Sequence, residues 1–87
     1  MSNHPWLEAR FTEIRPKAIA ALTRYFRDID LVEEVFSHAC IKALKAWPEK
    51  GLPDDPFAWL LVVARNAGRD ILRRQKSWPA HLHLALL

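Results

Sequence analysis

Apolar residues recur at helical spacing in three separate stretches of the chain. The first series is Leu7, Phe11, Ile14, Ala18, Ala21, Leu22 and Tyr25, which steps of three and four residues lay along one face of a helix. Pro16 falls inside this series. It has no N–H to give to the carbonyl four residues back, so the pattern predicts a kink or a restart, with a break near Arg15.

A second helix is expected from Asp30, whose carboxylate can accept from the amide of Glu33 while Glu33 reaches back in a box-like cap. Asp28 is the alternative start. Val32, Val35 or Phe36, Ala39, Cys40, Ala43 and Trp47 form its inward face, and Lys42 and Lys45 suit the negative end of the helix dipole. Pro48 is expected to stop it. The stretch 47–56, Trp-Pro-Glu-Lys-Gly-Leu-Pro-Asp-Asp-Pro, has three prolines and a glycine and reads as a rigid, shaped loop. Asp55 then caps a third helix with Pro56 at its first position. Phe57, Leu60, Leu61, Ala64, Ala67 or Gly68, Ile71 and Leu72 supply the buried stripe, to about Gln75. The expected fold is all-α, a three-helix bundle, with a further short helix optional in the C-terminal tail.

Composition narrows the class. A chain of 87 residues fits one domain, and a domain of that size buries only about 60–65% of its unfolded surface, so aromatic and aliphatic packing must carry the stability. The single Cys40 excludes an internal disulfide and a cysteine-rich zinc site. With no charged-then-apolar leader and no run of eighteen apolar residues, a cytoplasmic protein with no membrane partner is expected. Residues 1–76 are read as the domain and 77–87, an uncharged leucine-rich stretch, as an apolar tail or linker stub.

Net charge is +3, but its distribution is uneven. Residues 6–27 carry five basic and two acidic side chains, residues 28–56 three basic and seven acidic, and residues 57–78 five basic against Asp70 alone. A basic final segment suits a polyanion such as nucleic acid. The acidic middle fits either a cationic partner or solvated helix ends.

Arg65, Arg69 and Arg73 recur at four-residue steps on the third helix, and Asn66 shares much of the same side, away from the leucine stripe. Trp59 and Val62 lie near the start of that outward surface. An aromatic ring followed by guanidiniums can stack an unpaired base and hold the backbone behind it; an ordinary solvated face with Trp59 in the core is the competing reading. Catalysis has little support. Asp28, Asp30, Glu33, Glu34, Asp54 and Asp55 sit at helix starts or in the turn, where capping accounts for them. His4, His38, His81 and His83 lack metal-ligand spacing, and Cys40 on an apolar face suits inert core, so neither a cofactor nor a metal is expected.

The order of these blocks resembles region 2 of the sigma-70 family, in its extracytoplasmic-function (ECF) group. The resemblance covers roughly residues 7–76. It is carried by Phe-x-x-Ile-Arg-Pro at 11–16, Asp-x-Asp-Leu-Val-Glu-Glu-Val-Phe at 28–36, Ala-Cys-Ile-Lys-Ala-Leu-Lys-Ala-Trp-Pro at 39–48, and Ala-Trp-Leu-Leu-Val-Val-Ala-Arg-Asn at 58–66 followed by Arg-Asp-Ile-Leu-Arg-Arg. The resemblance implies a DNA-binding, non-enzymatic domain that acts in transcription initiation by binding core RNA polymerase and melting the −10 promoter element. The second helix would pack on the clamp coiled coil of the largest polymerase subunit, with Glu34, Ser37, His38 and Ile41 at or near the contact. The third would meet the −10 non-template strand through Trp59, Arg65, Asn66, Arg69 and Arg73, while the 51–56 loop, with Leu52, Pro53 and Asp54, would pocket a flipped base. Two departures stand out. Ser37-His38 replaces the family's usual Gln-Glu, and nothing after residue 76 resembles the helix-turn-helix that reads the −35 element. The alternative class is a helical protein-interaction or regulatory fragment that forms homo-oligomers through its tail or binds an anti-sigma factor.

Overall fold

The computed structural model describes residues 5–77, which form three helices: α1 (Pro5–Phe26), α2 (Ile29–Lys50) and α3 (Pro56–Ser77). Each helix packs on both others, so the chain is an all-α three-helix bundle. The expected tail and optional terminal helix over 78–87 lie outside the described residues.

Helix α1 runs through Pro16 without interruption, in place of the expected break near Arg15. Pro16 is exposed. Leu7 and Ile14 before it and Ala18 and Leu22 after it are all buried, so packing on both sides of the proline outweighs the single backbone hydrogen bond it removes. The helix closes at Arg27, whose φ of 58° is left-handed and whose N–H donates to the Thr23 carbonyl at 2.8 Å, a C-terminal cap usually given to glycine.

Asp28, and not Asp30, caps α2. Its backbone is extended (φ −146°, ψ 104°) and its side chain accepts from the Leu31 N–H at 3.2 Å. Asp30 instead occupies the first turn, where a carboxylate faces the positive end of the dipole. The Glu33 carboxylate, expected to close a capping box, pairs with the Arg15 guanidinium of α1 at 2.5 Å. A partner eighteen residues away had outcompeted a local one. Nor does Pro48 end the helix. It lies in the last turns of α2, which continues to Lys50 because Pro48 is exposed while the neighbouring Trp47 is held in the core. The terminus is set by Gly51, whose φ of +92° suits glycine and whose N–H donates to the Trp47 carbonyl at 2.8 Å.

Helix α3 starts as its sequence requires. Asp55 Oδ1 accepts from the Ala58 N–H at 3.1 Å and the Asp55 carbonyl from the Trp59 N–H at 3.0 Å, with Pro56 at the first helical position. The helix extends two residues past Gln75, to Ser77.

The core is a single apolar cluster. Leu7, Leu22, Val32, Val35 and Leu60 are fully buried, and Trp47 is only 2% exposed. Val35 and Phe36 both turn inward. Among the described residues no charged side chain is buried. Gly68 is the buried member of the Ala67 and Gly68 alternatives, because Phe26 of α1 packs directly over it and leaves no room for a Cβ. Tyr25 and Leu72, expected on inward faces, are exposed at the rim of the bundle.

Candidate nucleic-acid interface

The outward side of α3 presents Val62, Arg65, Asn66, Arg69 and Arg73, all exposed. Successive Arg65, Arg69 and Arg73 lie one helical turn apart, so their guanidiniums form a ridge along the helix. The ridge is not uniformly mobile. The Arg65 guanidinium sits 4.4 Å over the Tyr25 ring, a cation–π contact that draws Tyr25 to the rim and fixes the start of the ridge. Asp70 accepts from Arg73 through Oδ1 at 2.5 Å and from Arg74 through Oδ2 at 2.6 Å. These pairs are exposed and contribute little to stability, but they neutralise the one acid of α3.

Trp59 is not on this outward surface. It is half-buried, on the flank of α3 facing α2, with its ring edge-on to Trp47 at 5.2 Å between centroids. Trp47 in turn lies 5.7 Å from the Phe11 ring. The three rings link all three helices at the end of the bundle where the 51–55 loop joins α2 to α3. In that loop Leu52 and Asp54 are exposed and Pro53 is half-buried. The loop is therefore anchored by Trp47 on one side, through the Gly51 hydrogen bond, and by the Asp55 cap on the other.

A cleft of about 550 Å³ lies between α2 and α3. His38 and Lys42 line it from α2, and Asn66, Arg69, Asp70 and Arg73 from α3. Glu34 and His38 continue along a neighbouring groove with Arg74. On the opposite side of α2, Ser37 and Ile41 border a groove shared with Phe11, Thr12 and Arg15 of α1. Cys40 lies there too, its thiol pushed up to about 11 by burial, an effect the nearby Arg15 charge partly offsets. Among the described residues no group of three or more metal-ligating side chains converges, and no helix is long and apolar enough to cross a membrane.

The three-helix bundle is the fold expected from the sequence blocks. The family model for sigma-70 region 2 matches residues 11–77. The chain belongs to the sigma-70 region 2 family. A curated relative from Rhizobium meliloti (strain 1021), described as an uncharacterized protein, is 52% identical over 80 residues, which is 92% of this chain and 19% of that protein. The chain thus spans about a fifth of the length of the curated relative it matches. No solved structure matches it.

The chain is thus a region 2 domain of the sigma-70 family of transcription factors. The structure brings Arg65, Asn66, Arg69 and Arg73 onto one face, separates Trp59 from it, and sets Leu52, Pro53 and Asp54 in the loop beyond Trp59. It also splits the four α2 residues associated with polymerase: all are exposed, but Glu34 and His38 lean toward α3 while Ser37 and Ile41 lean toward α1. Three residues that border this surface stand out only in the structure. Lys42 was read only as a dipole partner, Tyr25 as core, and Asp70 as an isolated acid. The four-residue step from His38 to Lys42 could have shown that they share a side of α2.

Proposed function

We propose that this chain is region 2 of an ECF-type sigma factor, docking on core RNA polymerase through the outward face of α2 and capturing the melted −10 non-template strand on α3. The observation that carries the reading is the exposed α3 face itself. Arg65, Asn66, Arg69 and Arg73 stand in line there, and its single acid is already paired with arginine.

Separating the strands costs a few kcal/mol per extruded base. The domain would meet that cost by giving the opened strand better contacts than the duplex has. Arg69 and Arg73 take backbone phosphates, Asn66 offers an amide to a base edge, and the 51–55 loop with Leu52, Pro53 and Asp54 receives a flipped base. Trp59, half-buried in the first turns of α3, stacks on the base next to it, a contact worth roughly 1–3 kcal/mol. Trp47 holds the Trp59 ring in place in advance, so no ordering is required when the strand arrives. Glu34, Ser37, His38 and Ile41, all exposed on α2, form the polymerase contact, and all bond chemistry is left to the polymerase.

The test has two arms. Core polymerase should retain the chain in a pull-down, and a single-stranded −10 non-template oligonucleotide should bind it with a log–log salt slope near −2, as expected for neutralising about three single-strand phosphates. Binding to neither partner would overturn the proposal.

A further inference from the structure

The α2–α3 cleft extends the charged surface beyond α3. Its α3 wall carries Asn66, Arg69, Asp70 and Arg73, and its α2 wall carries His38 and Lys42. The only acid in this set, Asp70, has both carboxylate oxygens engaged by Arg73 and Arg74. Lys42 and Arg69, by contrast, have no acidic partner among the described residues. Two uncompensated cations therefore face one cleft from two helices. His38, one turn before Lys42, adds an imidazole ring to the same wall and no carboxylate. The charged groups around it are Glu34 and Lys42 on its own helix and Arg69, Asp70, Arg73 and Arg74 across the cleft.

Lys42 and Arg69 are both exposed, yet two like charges facing one concave cleft repel each other. The arrangement is stabilised when an anion enters. A cleft of about 550 Å³ is several times the volume of a phosphodiester group, so a strand can pass along it with its backbone toward the helices.

We infer that the α2–α3 cleft is a phosphodiester-binding channel in which Lys42 of α2 and Arg69 of α3 grip the backbone of single-stranded DNA from opposite sides, with His38 lining it beside Lys42. This rests on the reading of α3 as the nucleic-acid face and deepens it: the DNA surface spans two helices, and His38 belongs to it. The polymerase contact on α2 then contracts to Glu34, Ser37 and Ile41.

The experiment is a fluorescence-anisotropy titration of the full 87-residue chain with a labelled single-stranded DNA, across a salt series, for the unaltered chain and for Lys42→Gln, His38→Glu, Arg69→Gln and Lys45→Gln. Lys45 is exposed on α2 but does not line the cleft. Loss of one single-strand phosphate contact lowers the salt slope by about 0.7 and, at ~50 mM salt, weakens binding roughly five- to tenfold. Lys42→Gln and Arg69→Gln should each show that loss, His38→Glu should weaken binding at least as much, and Lys45→Gln should leave affinity and slope unchanged. If Arg69→Gln weakens binding while Lys42→Gln and His38→Glu do not, the channel is overturned and the α3 reading survives. If Lys45→Gln matches Lys42→Gln, the effect is a general one of net charge and the channel is likewise overturned. Absence of binding by the unaltered chain would remove both.

Discussion

The Trp47 indole meets the Trp59 ring edge-on, 5.2 Å between centroids with the planes at 66°. This contact joins the last turns of α2 to the first turns of α3 and sets the position of the loop between them. Edge-to-face pairs contribute about 0.5–1.5 kcal/mol beyond the area they bury. A double-mutant cycle with Trp47→Leu and Trp59→Leu, read by urea denaturation, should show coupling in that range. The single Trp47→Leu change should be the more damaging, because Trp47 is 2% exposed. Additivity of the two changes would mean that the rings merely lie near each other.

The N-cap of α2 distinguishes two neighbouring aspartates. Asp28→Ala removes the acceptor for the Leu31 N–H and should lower stability by about 1 kcal/mol. Asp30→Ala removes only a first-turn charge and should lower it by a few tenths of a kcal/mol. Thermal unfolding of both variants at one pH decides the order, and a larger loss at Asp30 would favour the capping box read from the sequence.

At Gly68 two local rules oppose each other. Alanine is the better helix former by about 0.8–1 kcal/mol, yet a methyl group there would run into the Phe26 ring. Overpacking of this kind costs about 1–3 kcal/mol, so Gly68→Ala should destabilise the domain. In a Phe26→Leu background the same change should become neutral or stabilising. Chemical denaturation of the four-member set reads both outcomes, and a stabilising Gly68→Ala in the unaltered chain would contradict the packing described.

Cys40 should be unreactive for a physical reason. Burial raises its pKa from 9.0 to about 11, so near neutral pH the folded thiol has roughly a hundredfold less thiolate than the unfolded chain. Iodoacetamide should modify it far more slowly in buffer than in guanidinium. The raised value also fixes a sign: the protonated thiol favours the folded state below pH 9, and that contribution is lost as pH rises through about 11. The urea midpoint should fall over this window by more in the unaltered chain than in Cys40→Ala.

Features governed by near neighbours were legible in the sequence. Asp55 followed by Pro56 marks the start of α3 within its own turn, and Leu60 and Ala64 mark its buried side. Misreadings arose wherever a distant partner decided the outcome. Pro16 and Pro48 follow the local rule for helix breakers, but core contacts of residues on either side carry the helices through them. Glu33 has the right spacing for a cap and is taken by Arg15. Tyr25 fits the helical stripe and is held at the rim under Arg65. The arginine ridge needed only helical periodicity to be seen. The cleft that adds Lys42 to it required knowing how α2 and α3 lie against each other, which no spacing within either helix reveals.

The central claim is that α3 is the nucleic-acid face of a sigma-70 region 2 domain. The most direct measurement is a ¹H–¹⁵N NMR titration of the labelled chain with a single-stranded −10 non-template oligonucleotide. Amide and side-chain shifts should cluster at Val62, Arg65, Asn66, Arg69 and Arg73 and continue into the 51–55 loop, leaving the outward side of α1 around Glu13 and Lys17 unmoved. Shifts confined to α1, or none at saturating oligonucleotide, would contradict the account.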